Sequence, residues 1–145
     1  MSKITATRRL TFSAGHRVYN HESVCRNLHG HNYTLYLHAQ APGLDDIGRV
    51  IDFSVLKGCF GGWIDDNWDH AFLFWKHDRE CCWLFDATEQ FNGNKHFKCD
   101  FNPTAEEMAR YLLTVVGLQV LQGTDVELTK VTLYETENCF AEVTL

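Results

Sequence analysis

Long apolar runs are missing from this chain. No stretch approaches the roughly 20 apolar residues that a membrane helix needs, so no membrane partner is expected. The first nine residues, Met1 to Arg9, lack the apolar core of a signal peptide, which points to the cytoplasm. A surplus of positive charge is missing as well. Thirteen Lys and Arg stand against 19 Asp and Glu, a net charge of −6. That balance argues against a nucleic-acid partner, which requires a basic face. The six cysteines contain no CxxC pair, which excludes a structural zinc site made of four thiolates. With no sign of export, they read as reduced thiols. No linker, repeat or low-complexity run divides the chain, so residues 1–145 read as one domain.

What is present is alternation. Leu10, Phe12, Ala14, His16 and Val18 share one face of a strand over residues 5–18. His31, Tyr33, Leu35, Leu37 and Ala39 share one face of a second strand over residues 29–41. Asp52 opens a helix with Phe53, Leu56, Phe60, Trp63 and Ile64 on one stripe, weakened by Gly61-Gly62. A second helix begins at Asn102-Pro103-Thr104. Proline suits its first turn, and Thr104 with Glu107 fits a capping box. Met108, Tyr111, Leu112, Val115 and Leu118 then recur at helical spacing. Residues 125–135 and 139–144 read as two closing strands. Segment 76–101 is the least legible: a short helix within His77–Phe91, a turn at Asn92-Gly93-Asn94, and a short strand within His96–Phe101. The fold class is therefore α+β, an antiparallel sheet with helices on one face.

The chemistry concentrates in Cys25-x-x-x-His29-Gly30-His31 and in His16. Residues i and i+2 of a strand point to one face, and pairing the first two strands brings His16 to the same place. Three neutral imidazoles with an open position are the pattern of a catalytic zinc. The bland reading is three satisfied histidines on a sheet. Cys25, in the loop above them, is a candidate acid/base or nucleophile. Asp69-His70 is a weaker signal: an aspartate beside a histidine can orient it for proton transfer, but such dipeptides are common. Glu135 lies on the strand face of Val131 and Leu133, where a carboxylate needs a partner. That partner is either an arginine or a guanidine-like ligand edge donating two parallel hydrogen bonds.

Taken together, Phe12-Ser13-Ala14-Gly15-His16, Cys25-x-x-x-His29-Gly30-His31, Ile51-Asp52-Phe53, Asp69-His70, Asn102-Pro103-Thr104-Ala105-Glu106 and Tyr134-Glu135-Thr136 resemble the 6-pyruvoyl-tetrahydropterin synthase / 6-carboxytetrahydropterin synthase family. The motifs run in the family's order over nearly the whole chain. The resemblance implies the tunnelling fold: a four-stranded antiparallel sheet with two helices in ββααββ order. Trimerisation closes that sheet into a barrel, and two barrels stack as a hexamer, with active sites at subunit interfaces. Segment 76–101 would be an elaboration of that domain. The resemblance also implies Zn2+ on His16, His29 and His31, and Cys25, Asp69 and His70 as catalytic residues. Glu135, assisted by Thr104, would bind the pterin edge of a pterin triphosphate substrate. Ala105 stands where many relatives carry a hydroxyl residue.

The three-residue spacer between Cys25 and His29 resembles the 6-carboxytetrahydropterin synthase branch. The implied activity is that of a zinc-dependent lyase. It converts 7,8-dihydroneopterin triphosphate to 6-carboxy-5,6,7,8-tetrahydropterin with release of acetaldehyde and triphosphate, in 7-deazaguanine (queuosine) biosynthesis. The alternatives are a 6-pyruvoyl-tetrahydropterin synthase, which eliminates triphosphate without carbon–carbon cleavage, and a non-catalytic pterin-binding relative. Arg8, Arg9, Arg17 and Arg26 are candidates for the triphosphate.

Overall fold

The computed structural model describes residues 2–88, 91 and 93–145. β1 (Ala6–His16) and β2 (His29–Gln40) form a long antiparallel pair, in register from Ala6 opposite Ala39 to His16 opposite His29. β5 (Glu127–Thr136) adds to β2, and β6 (Cys139–Thr144) adds to β5, both antiparallel. On the other side of β1, β3 (Ala71–Trp75) and β4 (His96–Cys99) pair in parallel. The sheet order is β4-β3-β1-β2-β5-β6.

The expected four-stranded antiparallel sheet is thus corrected to a six-stranded mixed sheet. β4 falls inside the strand expected at His96–Phe101, whereas β3 had no sequence signal. Its segment Ala71-Phe72-Leu73-Phe74-Trp75 is apolar throughout, as befits a strand packed on both faces, and it shows no alternation.

One face of the sheet carries the core. Phe12 and Ala14 of β1, Tyr33, Leu35 and Leu37 of β2, and Val131 and Leu133 of β5 are all buried there. α1 (Phe53–Asn67) covers them with Leu56, Phe60 and Ile64, and Asp52 caps it through the Ser54 N–H. The glycine pair does not break this helix. Phe53, however, is exposed rather than on the buried stripe.

α3 (Ala105–Tyr111) is capped by Thr104, whose side chain accepts from the Glu107 N–H. Only that half of the capping box forms, because Glu107 pairs with Arg110. The helix widens into a π segment (Leu112–Val116) and resumes as α4 (Gly117–Val120). The wider turn rotates the stripe. Val116 faces inward, while Val115 and Leu118, expected inside, are exposed.

Residues 79–87 of segment 76–101 pack on the opposite face of β3, while Phe97 and Cys99 of β4 join the main core. α2 (Arg79–Cys82) and a π segment (Trp83–Ala87) replace the single short helix expected in His77–Phe91. Phe85 there stacks on Phe72 and Phe74. Of the turn expected at Asn92-Gly93-Asn94, Asn92 lies outside the described residues. Arg17, one residue past β1, holds this segment in place. Its guanidinium donates to both carboxylate oxygens of Asp78, at 2.6 and 2.5 Å. Asp78 is buried and also caps α2. Burial alone would raise the Asp78 carboxyl, but Arg17 and the Cys81 N–H hold it below the ordinary range.

Replacing Asp78 by asparagine leaves a mostly buried guanidinium without its charge partner. The expected loss at neutral pH is about 3 kcal/mol, the low end for a broken buried pair because Arg17 keeps some solvent contact. A carboxyl depressed by folding contributes above its unfolded value of 3.8 and loses that contribution as pH falls through the lower folded value. The stabilities of the wild type and Asp78→Asn in urea should therefore keep their full difference down to about pH 4 and converge only as pH falls further.

Candidate metal centre and proton-transfer pair

The β1–β2 ladder places His16 opposite His29 and Ala14 opposite His31, so three imidazoles meet at one end of the hairpin. One ring nitrogen from each lies within 4.8 Å of the others. Gly15 and Gly30 oppose each other between the ligands. A Cβ on Gly15 would lie 2.7 Å from the Phe72 ring, so the strand approaches β3 closely there.

The hydrogen bonds determine the tautomers. His16 Nδ1 lies 2.8 Å from the Pro103 carbonyl and His29 Nδ1 2.7 Å from the Asn27 carbonyl. A carbonyl can only accept, so both Nδ1 atoms carry the proton and both Nε2 atoms of the neutral rings present lone pairs. Those Nε2 atoms are 3.1 Å apart. His31 Nε2 is buried with no hydrogen-bond partner among the described residues. Burial pushes the His16 imidazole down to about 4, with its two neighbouring histidines adding to the shift against the Pro103 bond, so a proton is a poor occupant at neutral pH. Burial also lowers His31. Converging lone pairs and an orphaned buried nitrogen fit a metal ion, and carbonyl-oriented imidazoles are the usual support for one.

Glu135 faces this group, 3.9 Å from His16 Nε2 and from His31 Nε2. It sits where the β5–β6 register shifts between Tyr134 and Thr136, a bulge that re-aims the side chain. Burial raises the Glu135 carboxyl while it lowers both histidines, so these contacts are not ion pairs. Among the described residues no arginine pairs with Glu135, which leaves the ligand edge as its candidate partner.

Asp69 and His70 form a separate pair between α1 and β3. His70 Nδ1 lies 2.9 Å from an Asp69 carboxylate oxygen, and the other oxygen accepts from the Ser13 N–H at 3.0 Å. His70 is held at φ 58 and its side chain is 78% exposed. A left-handed, non-glycine residue costs about 1–3 kcal/mol and is typical of functional positions. With Lys95, His70 borders a cleft of about 630 Å³ walled by Phe72, Phe85 and Phe91.

The family model for 6-pyruvoyl tetrahydropterin synthase matches residues 5–145. The chain belongs to the 6-pyruvoyl tetrahydropterin synthase family. It is 36% identical to a 6-carboxy-5,6,7,8-tetrahydropterin synthase of Rickettsia bellii, over 97% of this chain and 99% of that one. Two solved structures share the fold. An uncharacterized protein of Wolinella succinogenes superposes with a TM-score of 0.84 at 22% identity, covering 99% of each chain. The 6-pyruvoyl tetrahydropterin synthase of Caenorhabditis elegans superposes at 0.68 and 24% identity, covering 100% of this chain and 97% of that one.

In this member of the 6-pyruvoyl tetrahydropterin synthase family, the candidate residues fall into four places. His16, His29, His31 and Glu135 come together. Cys25 lies on a single 3₁₀ turn (Val24–Arg26) in the β1–β2 connection and is not part of the three-histidine group. Asp69 and His70 bond to Ser13, whose hydroxyl reaches Asn32 on the strand face opposite the histidines. Thr104 serves as the α3 cap, next to the Pro103 carbonyl that holds His16. Arg17 is committed to Asp78, which removes it from the triphosphate candidates.

Three supporting groups carry no chemistry in the sequence. Two are the carbonyls of Asn27 and Pro103. The third is the Asn102 side chain, which exchanges two 2.9 Å hydrogen bonds with the Tyr19 backbone and ties the α3 entry to the end of β1. Backbone acceptors have no residue signature. Asn102 beside Pro103-Thr104 was the only available hint.

His31→Ala removes the buried ring nitrogen of the three-histidine group that has no hydrogen-bond partner among the described residues. Metal content after dialysis, read by elemental analysis, should fall at least tenfold relative to wild type, by analogy with the cost of losing supporting contacts alone. Undiminished metal would remove His31 from the ligand set.

Proposed function

We propose that this chain is a zinc-dependent 6-carboxy-5,6,7,8-tetrahydropterin synthase acting on 7,8-dihydroneopterin triphosphate. The observation that carries the reading is the buried convergence of His16, His29 and His31 beneath Glu135, in a chain that follows its 6-carboxytetrahydropterin synthase relative over almost its full length. All-imidazole ligation suits zinc, which when bound would polarise the hydroxyl oxygens of the substrate side chain and lower their pKa.

The chain's own groups supply the rest. Glu135, on its bulge, accepts two parallel hydrogen bonds from the 2-amino group and ring N–H of the pterin, and Thr104 adds a hydroxyl at the same edge. Cys25 takes a proton from the substrate side chain. His70, oriented by Asp69, moves the second proton. Triphosphate leaves, one water supplies the carboxylate oxygen as the carbon–carbon bond breaks and acetaldehyde is released, and the product enters 7-deazaguanine synthesis. A cytoplasmic location fits this role. The three-residue Cys25–His29 spacer supports the carboxy branch over the pyruvoyl one. The family model's own designation keeps 6-pyruvoyl-tetrahydropterin synthase as the second reading.

Assembly belongs to the same proposal. Among the described residues of one copy, Asp69 and His70 make no bond to the histidine group, and no strand pairs beyond β4 or β6 at the ends of the sheet. Open edges call for pairing partners. A trimer that closes the sheet into a barrel, stacked as a hexamer, would let a second copy bring its Asp69–His70 pair to the Cys25 side of the first.

The deciding experiment incubates the zinc-loaded protein with 7,8-dihydroneopterin triphosphate, with mass analysis of pterins and an acetaldehyde assay. Acetaldehyde with 6-carboxytetrahydropterin is expected. A pyruvoyl product without acetaldehyde selects the second reading, and no turnover at all points to a non-catalytic pterin-binding protein. Cys25→Ala should keep zinc and lose at least 100-fold in kcat, the scale of one acid–base group. Loss of zinc in that variant would contradict the role given to Cys25. Glu135→Ala should raise KM or Kd for the pterin by at least tenfold with zinc retained, about the effect of losing a charge-assisted pair. Unchanged affinity would remove Glu135 as the pterin anchor.

A further inference from the structure

The His70 ring is 78% exposed, so packing does not place it. Its position depends on the Asp69 carboxylate and on the backbone. The peptide unit between Asp69 and His70 is gripped at both ends. Its N–H, that of His70, donates to the Ser13 carbonyl at 2.6 Å. Its carbonyl, that of Asp69, accepts from Lys95 Nζ at 2.5 Å. The same amine donates to the Asp65 carbonyl at 2.5 Å, in the last turn of α1, where a cation also complements the helix dipole. The Lys95 carbonyl in turn accepts from the Phe72 N–H at 3.1 Å, which fixes the lysine backbone to β3. A residue at φ 58 is uphill, and it persists only where its surroundings over-determine it. Lys95 and Ser13 are the groups that do so here.

Resting on the reading of Asp69–His70 as the second proton-transfer pair, we propose that Lys95 is a positioning residue for His70. It locks the left-handed Asp69–His70 turn through two carbonyls at the end of α1. The amine acts through the backbone. It directs the exposed imidazole toward the shared site and touches no reacting atom. This gives segment 76–101, which supplies Lys95, a role in the reaction. Substrate chemistry enters only through His70, so removing the lock should lower turnover and leave binding alone. Arginine presents several donors and keeps the charge, so it can span the same two carbonyls.

The test uses full-length, metal-loaded protein carrying Lys95→Met or Lys95→Arg. Steady-state kinetics over pH are paired with nitrogen-15 NMR of the His70 ring, which reads its tautomer and titration without turnover. Lys95→Met is expected to lower kcat at least tenfold and to hold KM within about twofold. It should also shift the His70 resonances and the matching limb of the pH–rate profile. Lys95→Arg is expected to recover most of the kcat. A wild-type kcat with unmoved His70 signals overturns the proposal. So does a rise in KM at constant kcat, which would make the amine a substrate contact. Loss of metal, or of folded protein in both variants, overturns it as well, because Lys95 would then support the whole fold. If the wild type itself turns nothing over, the functional reading fails, and the His70 spectra still decide whether Lys95 sets the ring.

Discussion

Two imidazole nitrogens with facing lone pairs, 3.1 Å apart, are the constraint around which the rest of the molecule is arranged. As neutral rings they repel, and burial disfavours a proton on His16. Pro103 and Asn27 occupy the outer nitrogens of His16 and His29, and burial pushes His16 down to about 4. A cation remains as the group that relieves the conflict and satisfies His31 Nε2. The fold supplies the force that keeps the rings together. Eleven paired positions of the β1–β2 ladder set the register, and a one-residue slip of β2 would send His29 and His31 to the face opposite His16. Asn102 ties the α3 entry to Tyr19, so the carbonyl that orients His16 cannot drift away from β1.

Glu135 shows how the same burial serves a second purpose. A carboxylate that met a protonated histidine would be consumed in an ion pair. Here the shifts of Glu135, His16 and His31 all run against ionised pairing, so the carboxyl stays available. Its placement depends on the bulge in β5, one irregular step that turns a side chain toward the histidines without moving the strand.

The parts legible in the sequence are those governed by period two. β1, β2 and the two closing strands follow from alternation, and so does the meeting of His16 with His29 and His31. β3 was illegible because a strand covered on both faces has no polar positions to mark its phase. The inner face of the long helix was misassigned at Val115 and Leu118 because a π turn changes the period midway, and no residue in Leu112-Leu113-Thr114-Val115-Val116 announces it. The carbonyls behind His16 and His29 are backbone and thus silent. Asp69-His70 could be read as a pair, but not its position on the reverse side of the strand from the metal ligands, since that depends on how the α1–β3 turn returns to Ser13.

The division of the candidate groups between two faces gives segment 76–101 its significance. Through Asp78 it takes hold of Arg17, the residue directly after the candidate ligand His16. Through Lys95 it takes hold of the turn that presents His70. Both grips are charged and short. A surface ornament would need neither, since stacking of Phe85 on Phe72 and Phe74 already provides an apolar anchor. These contacts add to the direct β1–β3 pairing that sets the distance between the end of β1 and the His70 turn. Any arrangement of copies that relies on His70 reaching another chain's Cys25 loop depends on that distance being constant.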